Sequence, residues 1–128
     1  MDWQPISEQG LLELINETRA RMNLLERRFW DAIEIPPEKW QQTPYGSEGG
    51  GFWAVAILGR IVVWYNDVED GFNYSTYQQV GTIPENEYWC NQDDLEWPVR
   101  QLMRFVTTGE PPGGRFGPPI GGEFNPNS

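Results

Sequence analysis

Two apolar runs separated by two residues constrain the fold of this chain more than any other feature. Residues 52–58 (FWAVAIL) and 61–65 (IVVWY) are rich in β-branched and aromatic side chains, and Gly59-Arg60 lies between them. Such runs are typical of strands, and a glycine at the first central position suits a two-residue type II′ turn. The sequence therefore predicts an antiparallel hairpin over residues 52–65.

The two-residue turn also fixes the predicted register, because side chains alternate between the two sides of a strand. Ile57 then faces Val62. Val55 faces Trp64, and Trp53 lies on the same face of the sheet. Small residues on the opposite face allow a helix to approach closely, so we expect the helices there and the tryptophans on the other side. The residues of that opposite face are Ala54, Ala56, Leu58, Ile61, Val63 and Tyr65.

The segment before the hairpin is predicted to be one long helix. Ser7 is a suitable N-cap, and Pro36-Pro37 ends the helix because proline lacks a backbone N–H. We expect about seven turns, followed by an extended edge piece over residues 38–45. Apolar residues recur at three- and four-residue steps when one threonine is counted with them; they are Leu11, Ile15, Thr18, Met22, Leu25 and Phe29.

Two further strands and a second helix are predicted after the hairpin. Residues 72–77 follow the polar turn 66–71 (NDVEDG) as a third strand, and residues 87–90 form a short fourth strand. Asp93 or Asp94 is the expected cap of the second helix. Its apolar stripe consists of Leu95, Val99, Leu102 and Val106.

The expected fold class is therefore α+β. An antiparallel meander of about four strands carries the long N-terminal helix and the C-terminal helix on one face. Residues 1–108 are predicted to form this single domain.

Residues 109–128 are predicted to form a Gly/Pro-rich extended tail, since eleven of these twenty residues are Gly or Pro. Phe116, Ile120 and Phe124 are its expected hydrophobic anchors. They would dock either on the protein itself or on a neighbouring chain, and the second arrangement would make a homo-oligomer.

The charge balance excludes several kinds of partner. The chain has 19 acidic and nine basic side chains, a net charge of −10 at pH 7, and Lys39 as its one lysine. Nucleic acids and anionic membranes require clustered Lys and Arg. We therefore expect a partner protein with a basic surface, whose encounter the negative charge would accelerate. A single cysteine and an N-terminus unlike a signal peptide predict a cytoplasmic location.

The sequence offers little support for catalysis. It contains no histidine, the commonest general base. Cys90 lies beside Trp89 in acidic surroundings, which favours a buried, inert thiol. The turn 66–71 resembles a calcium loop, but Tyr77 stands where an EF-hand requires glutamate. We expect no cofactor, no metal and, on balance, no enzymatic activity.

The candidate binding surface combines carboxylates with aromatic rings. Strand alternation requires some aromatic side chains to leave the helix-covered face, and acidic residues occupy the loops beside them. The sequence leaves open whether these loops meet in space. The residues expected to contact a partner are Trp64, Asp67, Glu69, Asp70, Tyr74, Glu85, Glu87 and Trp89.

Three functions fit these features. The first is a non-catalytic acidic protein-binding module, similar in type to the bacterial immunity proteins that neutralise toxins, although no motif ties the chain to a named family. The alternative is a small carbohydrate-binding or glycoside-hydrolysing domain. It would stack sugars on aromatic faces and use paired carboxylates from among Asp67, Glu69, Glu85 and Glu87. The third is a structural role, in which the tail joins neighbouring copies.

Overall fold

The computed structural model describes residues 4–118, apart from the side chain of Glu48. Within that range a four-stranded antiparallel sheet carries three helices, which confirms the predicted α+β class. The strands lie in sequence order across the sheet, so the sheet is a meander. The elements are α1 (Glu8–Arg21), α2 (Leu24–Ile33), β1 (Glu34–Trp40), β2 (Phe52–Leu58), β3 (Ile61–Asn66), β4 (Gly71–Thr76) and α3 (Glu96–Thr108).

The predicted long helix is two helices, with a break after Arg21. α1 begins where predicted, and the Ser7 hydroxyl accepts the Gly10 N–H at 3.0 Å. α2 begins with a capping box: the Asn23 side chain accepts the Glu26 N–H, and the Glu26 carboxylate accepts the Asn23 N–H, each at 2.9 Å. A capping box satisfies the free donors at the start of a helix, so the prediction of one continuous helix was wrong.

The new axis of α2 changes which side chains face the sheet. Trp30 and Ile33 are buried, whereas Leu25, which the continuous stripe placed in the core, is 68% exposed. Glu26 lies beside α3, and its second carboxylate oxygen accepts a hydrogen bond from Arg100 Nε at 2.7 Å. This carboxylate therefore joins the start of α2 to α3.

The sheet has four strands because β1 belongs to it. The prediction of a strand at residues 87–90 was wrong. β1 pairs with β2 although Pro36 and Pro37 cannot donate to a ladder, and the pairing is interrupted between Glu34 and Glu38. The prolines are tolerated because β1 lies at the edge of the sheet. Residues 85–87 form a single 3₁₀ turn, and the chain beyond it packs on the sheet without joining the ladder.

The hairpin of β2 and β3 contains a bulge that its sequence does not reveal. Near the turn the pairing is as predicted. Val55 is then an extra residue in β2, so that Ala54 faces Trp64 where Val55 was expected. The bulge exchanges the faces of the preceding residues, and Trp53 packs with the helices. The prediction that Trp53 and Trp64 share one face was therefore wrong.

Both faces of the sheet are buried, each by a different part of the chain. All three helices cover one face, as predicted, through Leu11, Ile15, Trp30, Ile33, Leu95, Val99 and Leu102. Residues 77–90 cover the opposite face, which we call the second face. Their buried side chains Tyr77, Ile83 and Tyr88 pack on Trp40, Phe52, Val62 and Trp64. The second face is consequently part of the core, and its tryptophans, Trp40 and Trp64, are not exposed to solvent.

The start of α3 differs from the prediction. Neither Asp93 nor Asp94 caps it through a side chain, because the N-cap position is Leu95 and no side-chain bond is made there. Leu95 and Val99 are buried as predicted, but Val106, at the other end of the stripe, is exposed. The side chains of Asp93 and Asp94 therefore do not cap α3.

Residues 91–93 lie against the start of β4 because Gly71 has no side chain. A Cβ at position 71 would lie 2.1 Å from the Asn91 carbonyl oxygen. The Phe72 N–H donates to the Asp93 carbonyl at 2.8 Å. The buried Asn73 side chain accepts the Asn91 N–H at 2.9 Å and donates to the Asn91 carbonyl at 3.1 Å. This close approach fixes the segment that leads into α3.

We expect Gly71→Ala to lower the free energy of unfolding by about 3 kcal/mol. The added methyl group collides with backbone atoms, so residues 91–93 must move away and lose their bonds to β4. Urea unfolding followed by tryptophan fluorescence measures the change. Gly113→Ala is the matched control, because a Cβ there meets nothing within 4 Å. Equal stability of the two variants would contradict this account.

Glu26 predicts a specific loss of stability in acid. The hydrogen bond from Arg100 lowers the pKa of Glu26 below its ordinary value of 4.5. The folded state therefore favours the ionised form, and this stabilisation is present above pH 4.5 and disappears as the pH falls below it. Glu26→Gln keeps the helix cap but loses the ion pair. It should cost about 1 kcal/mol at pH 7, because water screens the half-exposed Arg100.

Unfolding free energies of wild type and Glu26→Gln, measured from pH 7 down to pH 3, test this prediction. The difference in unfolding free energy between wild type and Glu26→Gln should become smaller as the pH falls. A difference that stays constant with pH would show that the ion pair does not contribute.

Candidate functional site

Acidic residues from three separate segments meet in one cleft. Glu17 comes from α1, Asp70 from the β3–β4 turn, and Asp93 and Asp94 from the segment before α3. These four residues, which we call the acidic cleft, line a cavity of about 80 Å³. Sites for small-molecule ligands usually have several hundred Å³. The acidic cleft therefore has room for the head of one side chain, and its negative charge suits Lys or Arg.

Most cations of the described chain already have a partner, which leaves the surplus charge on carboxylates. Arg27 and Arg60 donate to backbone carbonyls. The one cation that lines the acidic cleft, Arg21, is 3.7 Å from Asp94 and is also bonded to α3. Ion pairs join Arg19 to Asp31, Arg21 to Glu96, Arg100 to Glu26, Arg104 to Glu110 and Arg115 to Glu87.

Asp67, a predicted contact residue, is withdrawn from the surface. Its exposed fraction is 5%, and one carboxylate oxygen accepts the Ile6 N–H at 2.9 Å. The other oxygen has no hydrogen-bond partner among the described residues. Burial raises the pKa of Asp67, while the Ile6 N–H and the nearby Lys39 oppose that rise. Asp67 thus anchors the N-terminal segment to the β3–β4 turn.

Asp70 is the most accessible carboxylate of the same turn. The Tyr65 hydroxyl is 3.4 Å from its Oδ1 atom. Burial, followed by the charge of Asp70, raises the pKa of Tyr65 to about 12, so this hydroxyl stays a donor at neutral pH. Glu69 is half-buried and lies 3.4 Å from the Gln92 side-chain nitrogen, outside the acidic cleft.

Two of the aromatic candidates are buried by other parts of the described chain. Trp64 is fully buried on the second face, and its Nε1 donates to the Ser75 hydroxyl at 2.8 Å. Tyr74 is buried on the helix side of the sheet. The exposed aromatic face expected from strand alternation is therefore absent from this part of the sheet. Trp89 is half-buried and Glu85 is exposed.

Glu87 and Trp89 hold the tail of their own chain. The Arg115 guanidinium carbon lies 4.5 Å from the Trp89 ring centroid and 5.0 Å from that of Tyr74. Its Nη1 donates to Glu87 at 2.9 Å, and the same Glu87 oxygen accepts the Thr76 N–H and hydroxyl. Cation–π contacts and a charge-assisted bond act together here. We call Tyr74, Glu87 and Trp89 the arginine clasp.

The backbone of the tail is bound on both sides of Arg115. Asn91, a buried residue, donates from Nδ2 to the Gly114 carbonyl at 2.9 Å, and its Oδ1 accepts the Phe116 N–H at 2.8 Å. The Cys90 N–H donates to the Phe116 carbonyl. The tail thus packs on its own chain as far as residue 116.

Arg115 anchors the tail where an apolar side chain was expected. Phe116 is 67% exposed, so its side chain does not anchor the tail to its own chain, although its backbone is bound. Its docking on a neighbouring chain, and the homo-oligomer that would result, stay predictions. Ile120 and Phe124, the other predicted anchors, lie outside the described residues.

Five residues that build these sites were missed by the sequence analysis: Glu17, Asn91, Asp93, Asp94 and Arg115. Asp93 and Asp94 were expected only as caps of the second helix. A signal existed for Arg115, which is the single cation among residues 109–128 of an acidic protein and has many carboxylates to pair with. Glu17 and Asn91 carry no local signal, because their roles depend on which segments the fold brings together.

An open groove of about 670 Å³ beside β4 does not contain a pair of carboxylates. Glu87 is the one acidic residue among its lining residues, and Arg115 already neutralises it. Tyr77 also lines the groove but is buried. Hydrolysis of a glycosidic bond needs two carboxyl groups about 5–10 Å apart. This groove therefore lacks both the carboxylate pair and the exposed ring that the carbohydrate hypothesis requires.

The remaining chemistry of the described residues is sparse. Burial, with a contribution from Glu69, raises the pKa of the Cys90 thiol, which keeps it protonated and unreactive. Within residues 4–118, no three acidic or cysteine side chains are grouped so that they could hold a metal ion. No helix of that range has the length and apolar character needed to cross a membrane.

Comparisons with known proteins add no assignment. No protein-family model matches the chain, and neither the search of curated proteins nor the search of solved structures gives a significant match. The function is therefore argued from the geometry of the molecule.

The arginine clasp predicts that Glu87→Gln loosens the tail. Losing the charge-assisted bond should speed hydrogen exchange of the Phe116 amide about tenfold. It should also reduce the ring-current shifts of the Arg115 side-chain protons. Both effects are measured by NMR.

Glu85→Gln is the matched control for this prediction, since Glu85 is exposed, lies two residues away and loses the same charge. It should leave both NMR signals unchanged. Equal effects of the two substitutions would show that net charge, and not the bond to Arg115, holds the tail.

Proposed function

We propose that this protein is a non-catalytic module that binds a partner protein with a basic surface. The single observation that supports this most is the acidic cleft, a small cavity lined by acidic residues from three distant segments and by one cation, Arg21. Glu17, Asp70 and Asp94 are the exposed members of the cleft. Asp94 already lies 3.7 Å from Arg21, so Glu17 and Asp70 are the first that a partner would meet. Opposite charge on the two surfaces would speed their association and favour the right partner.

The pairing of cations within the chain strengthens this proposal. Because five of the arginines lie in ion pairs, the net charge of −10 is expressed mainly by carboxylates at the surface. Such a surface repels nucleic acid and anionic lipid and attracts basic proteins. A bacterial immunity-type role in the cytoplasm, neutralising a basic toxin, is the form of this function that we propose.

The test compares two baits that differ only in where charge is removed. Glu17→Gln with Asp70→Asn removes two charges from the acidic cleft. Glu13→Gln with Glu34→Gln removes two charges from exposed positions outside the cleft. A basic protein of the source organism, identified by mass spectrometry, should be retained by wild type and the control bait and lost from the cleft variant.

The association of that purified protein with wild type should then slow about tenfold or more between 50 and 500 mM salt. Stopped-flow fluorescence measures the rate. Retention that is equal for all baits, or an association rate that does not depend on salt, would contradict the proposal.

A further inference from the structure

Residues 113–116 of the tail lie in a groove formed by Tyr74, Glu87, Trp89, Cys90 and Asn91. The polar groups of this groove are bonded to the tail. Beside the two bonds from Asn91, the Tyr74 hydroxyl donates to the Gly113 carbonyl, and the Cys90 N–H donates to the tail as well. Glu87 supplies the negative charge opposite Arg115. If the tail left, these groups would present one set of donors and acceptors for the backbone of a segment that carries a cation.

This groove is held in shape by contacts that do not involve the tail. Asn73 binds both the N–H and the carbonyl of Asn91. Thr76 donates two hydrogen bonds to Glu87, and the Ser75 hydroxyl donates to the Glu87 carbonyl at 2.6 Å. The binding groups are therefore positioned before a peptide arrives, which reduces the cost of ordering them on binding.

The contacts with the tail also define which sequence the groove accepts. Gly114 has φ +73°, and a Cβ there would lie 3.1 Å from the Trp97 ring, so this position requires glycine. The next position requires arginine, because its side chain fills the arginine clasp. Phe116 points largely into solvent, so the position after arginine accepts any side chain. A segment held in the groove as the tail is held therefore needs a Gly-Arg pair.

The tail is held in a way that permits exchange. Its contacts are hydrogen bonds and one arginine, while Gly113, Gly114, Phe116 and Gly117 are exposed. Little apolar surface of the tail is buried, and polar contacts of this kind can be replaced by water or by a second peptide. Trp89, one wall of the groove, also has a buried Nε1 donor that finds no acceptor among the described residues.

We propose that this groove is a recognition site for a Gly-Arg segment of a partner protein, and that the tail is an intramolecular competitor that occupies it until the partner binds. The proposal rests on the proposed function and deepens it, because it names the chemistry by which a basic partner is recognised. It uses a different part of the surface from Glu17 and Asp70. A failure here therefore leaves the test of the acidic cleft unaffected.

The experiment uses the full chain and a fluorescent peptide with the sequence of residues 112–118 (PGGRFGP). Gly114→Val and Arg115→Glu each weaken the docking of the tail without changing the groove. Fluorescence anisotropy should show that the peptide binds both variants at least tenfold more tightly than wild type. A peptide with alanine in place of its arginine should bind neither. Hydrogen exchange of the Phe116 amide reports release of the tail in the same samples.

Matched second substitutions test the arginine clasp directly. Adding Glu87→Gln to Gly114→Val should weaken peptide binding about tenfold, whereas adding Glu85→Gln should not. Four results would overturn the proposal: equal binding to wild type and both variants, binding that does not need arginine, no binding to either variant, or a Phe116 amide that stays protected in both. A wild-type dimer in solution with exchanged tails would also overturn it, because the ligand would then be a second copy of this chain.

Discussion

The fold depends on the hydrogen bonds between Asn73 and the backbone of Asn91. Asn73 is buried in β4, and its amide group satisfies both the N–H and the carbonyl of Asn91. Leaving this buried amide without its partners would cost about 1–3 kcal/mol, so separating the two segments would strongly destabilise the protein. Gly71 makes the contact possible by leaving room for the backbone. Residues 88–93 are consequently fixed against the sheet. They connect the segment that covers the second face to α3.

That fixed segment also determines the positions of the two features on which the proposed recognition rests, the acidic cleft and the arginine clasp. Tyr88 points to the second face and covers Trp64, so the sheet itself has no free surface for a partner. The Asn91 side chain binds the tail, and Asp93 lines the acidic cleft. The Asn91 side chain touches both, since its Nδ2 donates to Asp93 at 3.1 Å and to Gly114. The recognition that we propose is therefore confined to the rim of a sheet that is buried on both faces.

The sequence predicted those features that depend on short-range pattern. The hairpin, the helix-covered face and the Ser7 cap follow from periodicity and local chemistry. The break between the first two helices had a local signal, the Asn23-x-x-Glu26 capping box, but the apolar stripe continued across it. The bulge at Val55 had none, because every nearby residue is apolar and either register buries a similar set. The site was less predictable still: the roles of Asn91 and of the acidic cleft arise from contacts between distant segments.

The core and the tail are stabilised by different interactions. The core is held by apolar burial, at about 25 cal/mol per Å². Residues 113–116 are held by four hydrogen bonds to their backbone. Each adds about 1 kcal/mol, or about 4 kcal/mol together, whereas ordering four residues costs about 4–8 kcal/mol. The contacts of Arg115 with the arginine clasp therefore decide whether the tail is bound. In the function that we propose, this one side chain would control access to the groove while the core beneath it stays unchanged.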